Sequence, residues 1–505
     1  MKRTFRRILA ALPILFGFAL FTASAYAQST FVYTDDNNLG PNTVSAFSVG
    51  PGGTLMMVPG SPFPTEGTGS GVGSFASHRV TARIRRNILY ASNSGSNDIS
   101  AFKIDTTTGG LTPVPSSPFP TGGSGTSGIS LAVTPNGRFL YAGNFDSSDI
   151  SAFQIGSNGA LTPIGSPVPV GDSPDGIKVS PNGKFLGVAA FFSNSVAMFT
   201  INASTGALTS VGSFPQGGPG TNAADVDITC NSKLLFCPHD NSGSTTVSVA
   251  RIASNGALSP ITGSPFTFAS GDNSNVAVLS PDNQHLFVSN QFSNGFEGTI
   301  TSLDVASGGG LTLETGSPFA NSGGFVPSGM GTNREGTLLY VANANNVVTG
   351  FHINRDGGLS PVMGSPFPTG ASGLKSLTVF PVKPVEGEGD ESGNDGHKGH
   401  FRFEAERECE ASSEMEFEER DTGKGMKGMK AMKGSVDAYT VVGNTATITG
   451  SGTLLDGTPV HYTAVVLGNA PVIGANHFAI SWITATGSVF QTSGALMDGY
   501  IVVHP

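Results

Sequence analysis

Two short stretches of the chain set an imidazole beside a charged neighbour. His78 and Arg79 are adjacent in SFASHRVTARI, and His239 and Asp240 are adjacent in LLFCPHD. Water attacking an acyl carbonyl needs a general base, and the tetrahedral oxyanion needs a hydrogen-bond donor or a cation. Histidine is the residue type that titrates near neutral pH and can serve as that base. His239, with Asp240 next to it and Asp225 on a neighbouring loop, is one candidate, and the pair His78 and Arg79 is another. The ordinary reading of either is a solvated loop histidine. His285 and His352 fall on strands or turns and read as structural.

A second group consists of polar residues that end strands or sit in the loops after them: Asn93, Asn144, Asp240, Asn290 and Asn343. Ringed amides and carboxylates can hold a polyol or a sugar, which makes these the candidate ligand-binding residues. Asn and Asp also favour tight turns through local side-chain bonds, and that reading covers most of the loops. His397 and His400 lie among Glu386, Glu388, Asp390, Glu391 and Asp395, which are all metal-ligand types. A solvated tether accounts for them, and neither a metal nor a cofactor is expected.

The elements that must position these residues come from a repeat. GRFLYAGNFDSSDISAFQIGSNGALTPIGSPVPVG, residues 137–171, has close relatives seven times between Phe31 and Pro381. A hairpin strand reads FVYTDD, ILYASN, FLYAGN, FLGVAA, LLFCPH, LFVSNQ and LLYVAN. The next reads VSAFSV, ISAFKI, ISAFQI, VAMFTI, VSVARI, ITSLDV and VTGFHI. Alternating β-branched and aromatic residues at period two are strands. A Gly-Gly-Leu or Gly-Ala-Leu turn follows, then a Ser-Pro-Phe element whose proline removes a ladder donor and so belongs on an outer edge. The copy at Ser213 lacks that proline. A four-stranded unit repeating at about 50 residues is a propeller blade, which buries its faces only against its neighbours. Asn136-Gly137 and Asn182-Gly183 are the strongest hairpin signals. The first unit lacks a leading strand, and a surplus strand at 373–381 follows the last. It is expected to complete the first blade beside Phe31–Thr34.

The LYVAN-like and SPNG-like elements over residues 31–381 resemble the seven-bladed lactonase-type and YVTN-repeat propellers. No WD dipeptide is present, and Trp482 lies outside the repeats, which argues against WD40 propellers. The resemblance implies lactone hydrolysis without a metal. Its relatives carry Arg-His within a Gly-Pro-Arg-His stretch before a leading strand. The matching stretches here, GTSGIS at 125–130, DSPDGI at 172–177 and FVPSGM at 325–330, lack that pair, and His78-Arg79 is a displaced analogue of it. Arg138, Lys184, Lys233 and Arg334 cluster in turns at the opposite end of the blades. This speaks against a phosphorylated sugar, which would need a cation at the phosphate.

Residues 1–27 read as a signal peptide, with Lys2, Arg3, Arg6 and Arg7 before the apolar Ile8–Leu20 and Ala25-Tyr26-Ala27 at the cleavage site. The mature chain is expected to be exported to the periplasm or beyond. No later run reaches the roughly 18 apolar residues of a membrane span. Glycine supplies 70 of 505 residues, 12% are charged, and the net charge of −10 makes nucleic acid an unsuitable partner. Of three cysteines, Cys230 and Cys237 flank one hairpin, offset by roughly 13 Å along the strand. That exceeds the Cα separation of about 7 Å a disulfide tolerates, so no bridge is expected between them, and Cys409 is expected to be free. Residues 382–400 read as an acidic, Gly-rich linker. Residues 401–505 read as a small antiparallel β domain, with a Lys/Met-rich hairpin loop at 423–435.

The chain is therefore expected to be all-β, with a signal peptide at 1–27, a seven-bladed propeller at 28–381, the linker, and the small β domain. It is expected to be a monomer. The first functional expectation is a binding or scaffold protein that takes a glycan, a protein or a cell-envelope component on its Asn/Asp-rich loop face. The alternative is a lactonase-like hydrolase acting on a neutral lactone.

Overall fold

The computed structural model describes residues 30–71, 77–83, 86–216, 222–240, 243–269, 271–293, 295–381, 385–393, 398–405, 414–420, 431–469 and 473–503. The expected leader, Cys409 and residues 423–430 of the Lys/Met-rich stretch lie outside these.

Seven antiparallel sheets and one closed barrel account for the strands. Blade 1 takes its innermost strand from Ser376–Pro381, paired with Thr30–Asp35, which pairs with Gly40–Val49. Asp35 lies opposite Ser376 and Thr30 opposite Pro381. The two ends of the repeat region are thereby zipped into one sheet, which removes the edge an open ring would expose. Blades 2, 3, 4, 6 and 7 begin with the innermost strands Val80–Arg83, Ile129–Val133, Pro174–Val179, Ser274–Leu279 and Pro327–Thr332. In blade 5 that strand is broken into Asn222–Ala223 and Asp227–Ile228.

The apolar period of two places side chains on both faces of each blade, and the core consists of slabs between blades. Ile88, Tyr90 and Ala101 of blade 2, for example, pack on Leu131, Leu140 and Phe153 of blade 3. The Ser-Pro-Phe elements explain the outer edge. In blade 2 the outer strand is split into Leu111–Pro113 and Phe119–Pro120, both paired to Asp98–Ile104. At the break, the Ala101 N–H donates to Ser117 Oγ at 2.9 Å. Ser61, Ser264, Ser317 and Ser365 do the same in their blades. The copy without proline keeps one continuous outer strand, Leu208–Pro215, and Ser213 instead donates to Ser195 Oγ.

Cys237 is a buried free thiol, so no Cys230–Cys237 bridge forms. Asp227 faces Phe236 across that hairpin, which carries Cys237 out of register with Cys230. Cys230 is itself disulfide-bonded.

The C-terminal domain is a closed eight-stranded barrel in which Val385–Gly393 pairs with both Lys398–Ala405 and Val489–Val503. Most of the expected linker is thus barrel wall. Its inward positions are Gly387, Gly389 and Glu391, and its outward ones are Glu388 and Asp390. The glycines show no apolar period because Phe403 and Leu496 fill the space their side chains would take. The interior is packed: Phe401 and Phe478 stack at 4.2 Å, and Trp482 and Phe490 at 4.0 Å. Phe478→Ala is expected to destabilise the barrel by about 3–5 kcal/mol through the cavity it leaves, read as a shifted urea midpoint of the barrel transition alone. Among the described residues no helix is long and apolar enough to cross a membrane.

Candidate active site

The innermost strands enclose a central lumen of about 380 Å3, within the size range of small-molecule sites. Its wall offers polar and apolar surface in nearly equal measure, the apolar part from Leu131, Ile177, Val278, Leu377 and their neighbours. The side chains that interrupt this wall are the ones with chemistry. His78 stands at one end, where the strands begin. Lys178 and Asp227 lie further along, joined at 2.9 Å, with Asp227 Oδ2 accepting the Leu279 N–H at 2.8 Å.

At the His78 end the innermost strands are irregular. Register shifts occur between Pro174 and Ile177, between Ser274 and Ala277, and between Pro327 and Gly329. The break in blade 5 falls at the same level. Each irregularity frees one residue from the ladder: Asp175, Asn275, Ser328 and, in blade 5, Asp225. Bulges of this kind re-aim side chains and are common beside active sites. All four residues are buried, and Asn275 Oδ1 and Ser328 Oγ have no hydrogen-bond partner among the described residues.

Asp225 reaches across the ring to His78, with Oδ1 2.9 Å from Nε2. A carboxylate only accepts, so Nε2 carries the proton and the imidazole lone pair is on Nδ1. The second oxygen, Oδ2, accepts the Ala277 N–H at 3.1 Å. Gly176 permits this approach, since a Cβ there would lie 2.0 Å from Asp225 Oδ1. Asp225 is fully buried, while the His78 side chain keeps 21% of its surface open to the lumen. A buried carboxylate that fixes the tautomer of a partly open imidazole is the arrangement of a base with its orienting group.

Arg79 does not line the lumen. It is fully buried, and its guanidinium donates to Ser94 Oγ at 2.8 Å and to the Ser127 carbonyl at 2.7 Å. Its backbone N–H donates to Ser376 Oγ. Burial presses its pKa down, and the charges of Asp35 and Asp175 hold it up. Arg79 therefore ties blade 2 to blades 1 and 3 and holds His78 in place. Asp35 has Oδ1 bonded by Asn42 at 3.0 Å and Oδ2 without a partner among the described residues. Burial raises its carboxyl to about 7, against the pull of Arg79 and Asn42. Lys375 is pushed down to about 8, first by burial and then by Arg79. Shifted groups of both signs gathered at one end of a cavity mark a functional region.

The other sequence candidates are elsewhere. His239 is wholly buried between Asn194 Oδ1 at 3.1 Å and Ser248 Oγ at 2.8 Å, so it is not a base on the loop face. Burial lowers its pKa from 6.5 to about 4. Between those values the native state binds fewer protons than the unfolded one. The stability held by the neutral ring is complete above pH 6.5 and is lost as pH falls through about 4. His239→Gln is expected to flatten the stability curve over that interval by about 3 kcal/mol relative to wild type, measured by urea denaturation at pH 7 and pH 4.5.

Asn93, Asn144, Asn290 and Asn343 are also buried rather than displayed to a ligand. Asn93 Nδ2 donates to Asp98 and Ser100, Asn144 to Asp149 and Ser151, Asn290 to Thr301, and Asn343 to Thr349. These amides pin the strands of each blade together. Asp240 is only partly buried and lies near Asp272, and burial followed by that charge raises its carboxyl to about 6. What the loop face does expose is aromatic. Phe192, Phe296 and Phe325 are 62%, 50% and 42% exposed, and the rings of Phe296 and Phe325 stack at 5.8 Å. The Phe191-Phe192 doublet was the available sequence signal.

Residues 42–175 and 171–271 match the sequence model of the family described as "Lactonase, 7-bladed beta-propeller". No curated protein matches the chain at a significant level. Among solved structures, one from Bacteroides uniformis assigned as a 6-phosphogluconolactonase superposes with a TM-score of 0.57 at 17% identity, over 70% of this chain and 99% of that one. A second, from Bacteroides fragilis and assigned likewise, gives 0.56 at 20% identity over the same shares. A protein from Lactobacillus plantarum gives 0.55 at 17%, again over 70% and 99%. At such identities the likeness is one of fold.

Proposed function

We propose that the chain is a lactonase-like hydrolase acting on a small, neutral lactone, built on the seven-bladed propeller whose residues 42–271 match the lactonase sequence model. The observation that carries this reading is the His78–Asp225 contact at the end of the central lumen. His78 Nδ1 takes a proton from water as the water oxygen adds to the lactone carbonyl. Lys178, in the same lumen, supplies positive charge toward the oxyanion. Collapse of the tetrahedral intermediate breaks the acyl–oxygen bond of the ring. The departing ring oxygen takes the proton back from His78, and the product is a hydroxy acid.

The wall supports a neutral substrate. Lys178 is paired with Asp227 and Arg79 is enclosed, so the lumen offers one compensated ammonium, enough to donate to a single oxyanion and short of the uncompensated cations a phosphate would need. The test is proton release by purified residues 28–505 on a panel of γ-, δ- and sugar lactones, with a phosphorylated lactone beside them. Turnover of the neutral lactones above the uncatalysed rate is the expected result. No turnover on any member of the panel removes the proposal.

The exposed Phe192, Phe296 and Phe325 favour a second reading, in which the loop face stacks on a glycan. A glycan array with wild type and Phe192→Ser tests it, and equal binding by both variants would count against it. The basic and apolar start of the chain supports export, to be checked by fractionating cells that express the tagged protein.

A further inference from the structure

The same side-chain position recurs at every junction between blades. Under the glycine turn of the next blade lies Phe31, Ile88, Phe139, Phe185, Leu234 or Leu338, and each packs against its glycine. At the junction of blades 6 and 7 the residue is His285, beneath Gly357. A second position departs from the pattern in the same blade. Where Val58, Val114, Ile164, Ile261 and Val362 begin the turn after the outer strand, blade 6 has Glu314. The register is the same, since the backbone N–H of each bonds back to the adjoining strand. Two apolar core positions have thus become ligand types together, and they touch: His285 Nδ1 lies 3.4 Å from Glu314 Oε1.

A third donor completes the group. Asp304 faces His285 across the strand pair, and one donor atom from each of His285, Asp304 and Glu314 fits within 4.8 Å of the others. His285 is 8% exposed, and its Nδ1, aimed into the group, makes no well-formed hydrogen bond. Asp356, in the turn of blade 7, adds further negative charge; burial and the two aspartates raise the Glu314 carboxyl while His285 lowers it. One buried imidazole therefore meets two carboxylates, Glu314 and the more exposed Asp304, with the charge of Asp356 acting on Glu314 besides. An ion pair alone would need one carboxylate.

We propose that His285 Nδ1, Asp304 and Glu314 form a binding site for a divalent transition cation of the Zn2+ class, which locks blade 6 to blade 7. One nitrogen and two carboxylate oxygens suit Zn2+, Mn2+ or Co2+, with water at the remaining position, and suit Mg2+ or Ca2+ less well because of the nitrogen. The site is separate from the lumen, and its occupancy is independent of the proposed hydrolysis.

The experiment uses untagged residues 28–505, dialysed against a chelator and titrated with ZnCl2 by calorimetry and by thermal unfolding. One Zn2+ per chain and a rise in the propeller midpoint are expected. The decisive variant is His285→Leu with Glu314→Val, which restores the apolar residues of the other blades and so should fold at least as well. It should lose the bound ion and the thermal shift together. His400→Ala serves as a control, because His400 lies 2.7 Å from Asp390 in the barrel; it should change nothing. No stoichiometric binding by wild type, or binding retained in the double variant, overturns the proposal.

Discussion

His78→Ala is expected to lower kcat/KM on the best lactone by about 10²–10⁴, the usual contribution of a positioned base, without loss of the folded propeller. The expectation follows from three features taken together. His78 lines the lumen. It is the imidazole with an exposed edge there, whereas His239 is enclosed between Asn194 and Ser248. Its tautomer is fixed by Asp225. Asp225→Asn is the sharper variant because it preserves shape. An amide can donate to Nε2 where the carboxylate can only accept, which would move the ring proton to Nδ1 and remove the base. The loss should fall in kcat rather than KM, since Asp225 lies behind His78 and touches no substrate. Full turnover in His78→Ala would place the base elsewhere, and an effect of Asp225→Asn confined to KM would make Asp225 part of the substrate contact.

The pairing of His78 with Asp225 spans 147 residues of sequence, and this is why local reading assigned Asp225 to His239. His78 and Arg79 could be picked out as adjacent charged types in a leading strand. Their partners could not be, because the ring brings blade 2 and blade 5 together across its centre. Asp175, Asn275 and Ser328 reach the same level through register shifts, and where a bulge falls is set by the pairing with the neighbouring strand, which a single segment does not record. Lys178 was hidden for a related reason: it sits in a strand whose neighbours Ile177 and Val179 are both lumen wall.

The blades themselves were legible, because every copy repeats its turn glycine and its alternation, and five of the seven repeat the Ser-Pro-Phe element. Where a copy broke the rule, at Ser213, the structure broke with it. The barrel was legible only in part. Strand 385–393 carries glycine where a strand ordinarily carries an apolar residue, and the aromatic groups that fill the space come from other strands. The Asn positions were visible but misread. An amide buried beneath a loop and one offered to a ligand have the same sequence signature, and burial alone separates them.

Arg79→Met is expected to cost the propeller about 3–5 kcal/mol, the penalty for removing one partner of a buried ionic group. Methionine approximates the length of the side chain, so the loss comes chiefly from charge and hydrogen bonds: the bonds to Ser94 and Ser127 disappear, and Asp35 and Asp175 lose their counter-charge. The pH dependence identifies the cause. Asp35 already has its carboxyl raised to about 7, with Arg79 opposing the rise. Without Arg79 it should rise further and hold a proton in the folded state at neutral pH. A native state that binds more protons than the unfolded one loses stability as pH increases. The deficit of Arg79→Met should therefore be smaller at pH 5.5 than at pH 8.5, and Arg79→Met with Asp35→Asn should recover part of it and flatten the pH dependence. Arg79→Lys should not rescue, because a single ammonium cannot reproduce the forked bonds to Ser94 and Ser127. Urea midpoints of the propeller transition, with the barrel transition as internal reference, measure all three variants against wild type. A deficit independent of pH and of Asp35 would assign the cost to packing and remove Arg79 from the electrostatic support of His78.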